Sequence, residues 1–266
     1  MSSREKLLAA EYAEESRRSQ RKDRLAGSGR VAIVAALERE VWPLVRNWAR
    51  SRKLFEGREF EFFENDRMVV VCGGIGADLA RRATEAVIRL FDPELIISAG
   101  FAGALQRELT VGQVLTPRIV IDAGDSSRTD TQSGAGILVT FGAVADAAQK
   151  AKLAQAFGAQ AVDMEAAAVA RGAEKHGVRF LACKAISDAS DFSMPALAHF
   201  VKADGKFQTG KFAFYLVMRP WLWKDAVTLG RGSAMASKKL CQSLAAFADM
   251  GTGDLIAVRA ASSVNT

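Results

Sequence analysis

Short, uninterrupted apolar runs rich in β-branched residues constrain the fold of this chain more than any other feature. Such a run, without polar alternation, is typical of a strand that is covered on both faces. The clearest examples are residues 31–36, 68–72, 95–103 and 180–186, with the helically spaced segment 77–91 among them. Strands that alternate with helices at this rate predict a three-layer α/β fold with a central mixed β-sheet flanked by helices.

The length and composition of the chain predict a single globular body with two extensions. At 266 residues, 49% of them hydrophobic, such a chain can bury roughly three quarters of its unfolded surface without disulfides. Residues 1–28 are rich in Arg, Lys, Glu and Ser and end in Gly27-Ser28-Gly29, so we interpret them as a charged extension. We expect the domain to span residues 29–250, with an atypical segment at 210–250, and residues 251–266 to form a tail.

Cysteine and histidine usage excludes several classes of protein. The three cysteines lack CxxC spacing and a neighbouring histidine cluster, which favours a reduced cytoplasmic interior over a disulfide framework or a zinc site. With two histidines in the chain, we expect no metal site and no redox cofactor. No apolar stretch has the length of a bilayer span. The net charge of +6 is modest, and basic residues cluster near the start (Arg17, Arg18, Arg21, Lys22 and Arg24) and at Lys238-Lys239 without a recognition-helix motif. We therefore expect no nucleic-acid partner.

Two carboxylates stand where an α/β sheet usually binds its ligand. Asp188 follows the buried run 180–186, and the carboxyl ends of such strands line the ligand crevice of open α/β sheets. Glu165 opens an alanine-rich helix, from which it can accept hydrogen bonds from a diol. Taken alone, Ser187-Asp188 is also a common N-cap pair, and Asp163 and Glu165 also favour a helix N-terminus.

Four separated segments carry a family resemblance, in the expected order. They are residues 36–41 (Ala-Leu-Glu-Arg-Glu-Val), 73–76 (Gly-Gly-Ile-Gly), 98–105 with 111–114, and the elements Met164-Glu165 and Ser187-Asp188. Together these segments resemble the nucleoside phosphorylase and nucleosidase superfamily, which includes the 5′-methylthioadenosine/S-adenosylhomocysteine nucleosidases. The likeness covers about residues 30–190 and implies a phosphorylase-like fold that cleaves the N-glycosidic bond of a purine nucleoside, with adenine as base.

The resemblance assigns a role to each matching residue. Asp188 would protonate or hydrogen-bond N7 of the leaving purine, a kind of general acid help worth roughly 10²–10⁴ in rate. Glu165 would hold the ribose hydroxyls and stabilise positive charge on the sugar, with Met164 against the ribose. Glu40 would activate the attacking water in the hydrolytic branch. The remaining substrate-binding positions would be Ser187, Gly73, Gly74, Ala102 and Gly103.

The nucleophile is left open between water and phosphate. Hydrolytic relatives resembling this chain usually carry a serine at the position of Gly73 and an arginine at the position of Lys184. In phosphorolytic relatives, the glycine loop and arginines bind phosphate through backbone N–H groups and side chains. These departures favour phosphate as a co-substrate, with Lys184 as a point charge that supports it.

Two further alternatives stay open at this stage. The Gly-Gly loop, the segment 161–165 and the region around Arg219-Pro220 also resemble hopanoid-associated phosphorylases, which act on a lipid-linked adenosine. In that case Trp221, Trp223 and the nearby cations would meet a membrane surface. The other alternative is a nucleoside-binding protein of the same fold without turnover. The family resemblance also predicts a homo-oligomer.

Overall fold

The computed structural model describes residues 29–193 and 222–249, together with positions 200, 205, 207, 208, 211, 212 and 215 between them. The predicted extension 1–28, the tail 251–266, and Arg219, Pro220 and Trp221 lie outside the described residues. The domain boundaries therefore stay predictions.

A mixed sheet of eleven strands forms the centre of the described structure. The strands are β1 Val31–Ala35, β2 Ala49–Phe55, β3 Arg58–Glu64, β4 Met68–Cys72, β5 Leu95–Ala104, β6 Val114–Leu115, β7 Ile119–Asp122, β8 Arg128–Asp130, β9 Ile137–Thr140, β10 Ala161–Asp163 and β11 Arg179–Asp188. Their order is β2-β3-β4-β1-β5-β10-β9-β7-β8, with β11 paired to β5 and β6 paired to β11. The long strand β5 runs parallel to β1 and β11 and antiparallel to β10, which confirms the predicted mixed sheet.

Five helices lie on the two faces of this sheet in the described part of the chain. They are α1 Glu38–Val45, α2 Ala77–Phe91, α3 Ala147–Phe157, α4 Ala166–Lys175 and α5 Trp223–Asp249. The end of α2 falls where Asp92-Pro93 predicts it, with Asp92 in the left-handed conformation at a φ of 46°. The side chain of Asp146 caps α3 by accepting the N–H of Gln149 at 2.8 Å.

Alternation along the central strands explains why helices cover both faces. In β1, the side chains of Ala32 and Val34 pack with α2 and α4, whereas those of Val31 and Ile33 pack with α1 and α5. A strand that buries both sets of side chains needs a helical layer on each side. The three-layer α/β prediction is therefore confirmed.

Several local predictions are wrong in informative ways. The strand β2 was not predicted, because its exposed positions include Arg50 and Arg52 and it lies at the sheet edge. The helix predicted from residue 163 begins at Ala166, since residues 161–163 form β10 instead. The strand predicted over residues 114–120 is split into β6 and β7.

One predicted loop serves a purpose other than the one we expected. Residues 122–136, predicted as a loop over the site, contain β8, which pairs with β7 at the far edge of the sheet. Arg171 of α4 binds Asp122 at 2.6 Å, which ties the start of this segment to α4. In the atypical segment 210–250, for which the sequence predicts a capping helix and a strand, positions 212 and 215 are helical.

Candidate active site

A cleft of about 960 Å³ opens at the carboxyl ends of β1, β5 and β11, between α1 and α5. Open α/β sheets bind ligands at this edge. The structure brings seven of the predicted site residues to the cleft, from four different parts of the chain: Glu40, Ala102, Gly103, Met164, Glu165, Ser187 and Asp188. Residues as far apart in the sequence as Glu40 and Asp188 therefore line the same cavity.

Asp188 is the last residue of β11, and a bulge in that strand sets its position. The pairing of β11 with β5 shifts register between Ile186 and Asp188, and such bulges re-aim side chains. The hydroxyl of Ser187 lies 2.6 Å from Oδ1 of Asp188 and 3.4 Å from the carbonyl oxygen of Ala102. Gly103 lies directly beneath, since a Cβ added there would come within 3.1 Å of Oδ2 of Asp188.

Lys150 of α3 forms an ion pair with Asp188 that the sequence analysis missed. Its ammonium group donates to Oδ2 of Asp188, to the carbonyl oxygen of Ala189 at 2.7 Å and to that of Phe192 at 3.2 Å. Only 2% of Lys150 is exposed. A signal for it exists in the sequence, because residues 150, 153 and 157 follow helical spacing and place a lysine on the apolar stripe of α3.

Glu165 lies between β10 and α4 and reaches a distant part of the chain. Its Oε1 accepts the N–H of Gly76 at 2.8 Å, where α2 begins and the helix dipole favours a negative charge. Burial, followed by the nearby carboxylate of Asp163, raises the pKa of Glu165 to about 7, although Lys184 opposes the shift. The carboxyl group of Glu165 therefore takes up a proton more readily than that of an exposed glutamate.

Asp163 and Lys184 form a buried network behind Glu165. Nζ of Lys184 lies 2.8 Å from Oδ2 of Asp163 and 3.0 Å from the hydroxyl of Ser98. Asp163 also accepts from the hydroxyl of Thr140 at 2.6 Å and from the N–H of Ala166 at 2.9 Å, which caps α4. Burial disfavours the charge on Lys184, but the carboxylates of Asp163, Glu165 and Glu40 raise its pKa overall.

Glu40 of α1 is the second buried carboxylate of the cleft. Its Oε2 accepts the N–H groups of Ala36 and Leu37, each at 3.2 Å, and Gly100 leaves the space in which it lies. Burial raises the pKa of Glu40, while the N–H of Leu37 and the charge of Lys184 act in the opposite direction. A carboxylate with a raised pKa is better suited to accept a proton near neutral pH.

The glycine loop does not take the place predicted for it. Gly73 and Gly74 do not line the cleft, whereas Ile75 does. The N–H groups of Gly73, Gly74 and Ile75 bond to the carbonyl oxygens of Ala35, Ala36 and Gly205, and the N–H of Gly76 bonds to Glu165. Added bulk at Gly73 would meet the Cβ of Ala83 at 2.8 Å, so this glycine permits close packing of α2. All four N–H groups of the loop are therefore committed within the protein.

Lys184 likewise does not face the cleft, so it is not placed to contact phosphate. It is 1% exposed and its ammonium group is bonded to Asp163 and Ser98. Because β11 is covered on both faces, a side chain in its middle points into the sheet packing rather than out of the strand end. The charge support predicted for Lys184 is directed at the buried carboxylates instead.

The outer wall of the cleft is apolar and comes largely from α1 and α5. It includes Trp42, Pro43, Leu229 and Ala234. The hydroxyl of Ser237 on α5 lies 3.1 Å from the carbonyl oxygen of Glu40, so α5 also fixes the backbone that carries this carboxylate. The sequence analysis assigned no site residue to α5, because alanine, serine and leucine at helical spacing are typical of an ordinary packing helix.

The described residues contain no group of three or more His, Cys, Asp or Glu side chains arranged to hold a metal ion. Cys72, Cys183 and Cys241 are free thiols. Within the same described ranges we find no helix that has both the length and the apolar character needed to cross a bilayer.

Comparison with known proteins gives a consistent family assignment. The family model described as the phosphorylase superfamily matches residues 26–147 and 126–209. A 5′-methylthioadenosine/S-adenosylhomocysteine nucleosidase of Exiguobacterium sp. is 28% identical over 201 residues, which cover 61% of this chain and 86% of that protein. The nucleosidase of the same name from Staphylococcus aureus strain MRSA252 is 26% identical over 196 residues, covering 59% and 86% of the two chains.

Solved structures at lower identity share the fold of this chain. The S-adenosylhomocysteine nucleosidase of Streptococcus pyogenes, solved with 5-methylthiotubericidin, superposes with a TM-score of 0.63 at 20% identity, covering 85% of this chain and 99% of that one. The futalosine hydrolase of Helicobacter pylori gives a TM-score of 0.59 at 17% identity, covering 82% and 98%. At these identities the likeness concerns the fold.

Proposed function

The chain belongs to the phosphorylase superfamily and cleaves the N-glycosidic bond of a purine nucleoside, and we propose that it does so by hydrolysis of an adenine nucleoside. The relatives named above are nucleosidases for methylthioadenosine and S-adenosylhomocysteine. Their substrates share an adenine base on a ribose with a variable 5′ substituent. The proposal transfers that substrate class to the cleft described here.

The charge of the inner cleft is the observation that carries the choice of water over phosphate. Three carboxyl groups, those of Glu40, Asp163 and Glu165, face the buried Lys184, and Arg39 is a further cation near Glu40. A phosphate dianion there would add negative charge to a group of carboxylates, and like charges at short range disfavour ionisation. The four N–H groups of the glycine loop already have partners. Water is uncharged and meets neither obstacle.

We assign the steps of the reaction to three carboxyl groups. As the bond between C1′ and the base nitrogen breaks, its electron pair moves onto the purine and Asp188 delivers a proton to N7. Glu165 accepts hydrogen bonds from the ribose hydroxyls and stabilises the positive charge that develops on the sugar. Glu40 takes a proton from the attacking water, whose oxygen forms the new bond to C1′. No metal or redox group takes part in these steps.

The nucleophile can be tested directly by following base release. The purified chain would be incubated with adenosine and with methylthioadenosine, in phosphate-free buffer and with added phosphate, while adenine and the sugar product are quantified. We expect adenine and free sugar at the same rate in both buffers, and Glu40→Gln to lose most of that rate. Adenine released only with phosphate, together with a sugar 1-phosphate, would instead establish a phosphorylase.

A larger 5′ substituent is the second candidate within this class. The wall built from Trp42, Pro43 and Leu229 is apolar, and the cleft of about 960 Å³ lies at the upper end of the usual range for small-molecule sites, roughly 300–1,000 Å³. A lipid-linked adenosine of the hopanoid type would cover this wall. A preference for methylthioadenosine over a lipid-linked adenosine of equal solubility would rule out this candidate.

We also propose that the protein works in the reducing cytoplasm and as a homo-oligomer. The first proposal is supported by its three free cysteines, of which Cys183 and Cys241 are buried. The second rests on the family resemblance alone. Light scattering of the purified chain at several concentrations would measure the oligomer, and a strictly monomeric mass would contradict it.

A further inference from the structure

We propose that Lys150 is a positioning residue for the leaving-group step: it fixes the Asp188 carboxyl group and stabilises the carboxylate that forms there when the proton passes to the base. This inference deepens the proposed function and rests on it. It concerns a lysine that lies outside the four segments that resemble the family.

The three N–H donors of Lys150 have three acceptors. They are Oδ2 of Asp188 and the carbonyl oxygens of Ala189 and Phe192. An ammonium group has three donors and no acceptor capacity, so all its donors are used within the protein. Lys150 is therefore not arranged to bind a phosphate or a sugar directly. Its positive charge is directed at Asp188.

The contact between Lys150 and Asp188 is largely shielded from solvent. The side chain of Lys150 is 3% exposed and that of Asp188 is 19% exposed. Burying an ammonium group is unfavourable unless it is paired and hydrogen-bonded, and surface placement was available, since Lys152 on the same helix is exposed. The close approach also needs Gly103, because a Cβ there would come within 3.1 Å of both Oδ2 of Asp188 and Cε of Lys150. Three elements, α3, β5 and β11, therefore converge on this pair.

The chemistry explains what the charge does. In the proposed reaction Asp188 first takes up a proton from solvent. Its O–H bond then breaks, an N–H bond forms at N7, and Asp188 is left again as the carboxylate that pairs with Lys150. Negative charge therefore develops at Asp188 during the step in which the base departs. A fixed positive group aimed at developing charge in a water-poor site is an effective form of transition-state stabilisation. Lys150 holds such a position, and its contacts to Ala189 and Phe192 prevent it from turning away.

The test uses two substrates that differ in the leaving group. Adenosine needs a proton on its base, whereas a p-nitrophenyl β-riboside releases a stable phenolate without one. The variants are Lys150→Met, Lys150→Gln, Lys150→Arg, Asp188→Asn and the double variant Asp188→Asn/Lys150→Met, with Lys152→Met as an exposed control on the same helix. Thermal unfolding and the binding of free adenine would be measured for each variant. Lys150→Gln, which keeps a hydrogen bond, takes the place of Lys150→Met if the latter does not fold.

We expect Lys150→Met and Lys150→Gln to lower kcat for adenosine about 10–100-fold and to change the rate on the nitrophenyl riboside less than about threefold. Lys150→Arg should recover part of the loss, and Lys152→Met should have no effect. In the Asp188→Asn background, Lys150→Met should cost nothing further, because residues that act as a unit are not additive. Adenine affinity should fall equally in Lys150→Met, Asp188→Asn and the double variant.

Equal losses on both substrates, or additive losses in the double variant, would overturn the proposal and leave Lys150 a purely structural lysine. Failure of the proposed function looks different: the parent protein would release no base from any purine nucleoside. In that case the adenine affinities of the Lys150→Met, Asp188→Asn and double variants still test whether Lys150 acts through Asp188. Unequal losses of affinity in the three variants would reject the coupling to Asp188.

Discussion

The cleft has two lysine–carboxylate groupings that differ in charge balance. The first, here the Lys184 cluster, consists of Lys184, Glu40, Asp163 and Glu165, with the buried ammonium group of Lys184 facing three carboxyl groups that line the inner cleft. The second, the Lys150 pair, matches one lysine with one carboxylate, Asp188, at the cleft wall. The two lie at successive points of β5, since Gly100 underlies Glu40 and Gly103 underlies Asp188.

The difference in charge balance separates the proposed acid from the proposed base. Burial raises the pKa of Glu40, and burial together with the carboxylates of Asp163 and Glu40 raises that of Glu165 to about 7, which favours proton uptake near neutral pH. In the Lys150 pair, the ammonium group of Lys150 instead stabilises the negative charge that remains on Asp188 after it donates a proton. Pairs of titratable groups held in contrasting surroundings are the usual way in which an active site divides acid and base roles.

The largest effect should come from removing the acid of the Lys150 pair. We expect Asp188→Asn to lower kcat on adenosine about 10³–10⁴-fold with affinity changed only a few-fold, because the amide cannot deliver the proton. Steady-state kinetics and isothermal titration with the substrate would measure both quantities. A parent protein that binds adenosine as tightly as its Asp188→Asn variant and turns over nothing would instead indicate a binding protein.

In the Lys184 cluster, the corresponding change should act first on stability. Lys184→Met leaves several buried carboxyl groups without a cation, and breaking a buried pair costs about 3–5 kcal/mol. Urea unfolding at pH 8 would measure the loss, which should shrink towards pH 5 as Glu40 and Glu165 take up protons. Lys175→Met is the matched control, since that side chain is 70% exposed. A loss that does not change with pH would contradict the cluster as described.

The raised pKa of Glu165 predicts how both kcat/KM and the free energy of unfolding change with pH. Because the ionised carboxylate is needed to accept the ribose hydroxyls, kcat/KM should fall about tenfold per pH unit below about 7, the pKa of Glu165. The free energy of unfolding should move in the opposite direction. A carboxyl group whose pKa is raised from 4.5 to about 7 in the folded state stabilises the fold below pH 4.5, and that contribution is lost as the pH rises through 7.

Glu165→Gln is the variant that checks both halves of this prediction. It should remove the acid limb of kcat/KM, at a lower overall rate, and flatten the decline of unfolding free energy between pH 4.5 and 7. An unchanged pH profile in the variant would assign the titration to another group, with Glu40 as the first candidate because its pKa is also raised.

The smallest expected effect concerns the glycine beneath the Lys150 pair. Gly103→Ala adds a Cβ 3.1 Å from both Oδ2 of Asp188 and Cε of Lys150, so both side chains must shift by a few tenths of an ångström. We expect about a tenfold loss of kcat on adenosine and a much smaller loss on the nitrophenyl riboside. Gly142→Ala is the matched control, because a Cβ there meets no atom within 4 Å. Equal effects of the two substitutions would show that the spacing is not critical.

Local pattern was sufficient to predict the central fold. The strands β1, β4, β5 and β11 and the helix α2 were predicted because continuous apolar runs and 3.6-residue spacing leave few alternatives. The edge strand β2 escaped prediction because sheet edges carry charged residues that hide the strand pattern. The strand β10 was missed because three residues, Ala161–Asp163, give no period to detect.

The candidate site divides in the same way. Asp188, Glu165 and Glu40 stand in recognisable local patterns, and their catalytic roles stay predictions until the variants are measured. The partners of these residues could not be predicted. Glu165 bonds to Gly76 and Asp188 to Lys150, across 89 and 38 positions of the chain, and no local pattern encodes such distances.

The sequence by itself determined the layered α/β architecture, the family and the three carboxylates, because apolar periodicity and short motifs are local properties. Only the tertiary structure decided which charges face one another. It turned Lys184 inward to Asp163, used up the N–H groups of the glycine loop and placed Lys150 against Asp188. The physical reason is that burial and the distance between charges set the behaviour of ionisable groups, and both arise only when distant segments pack together.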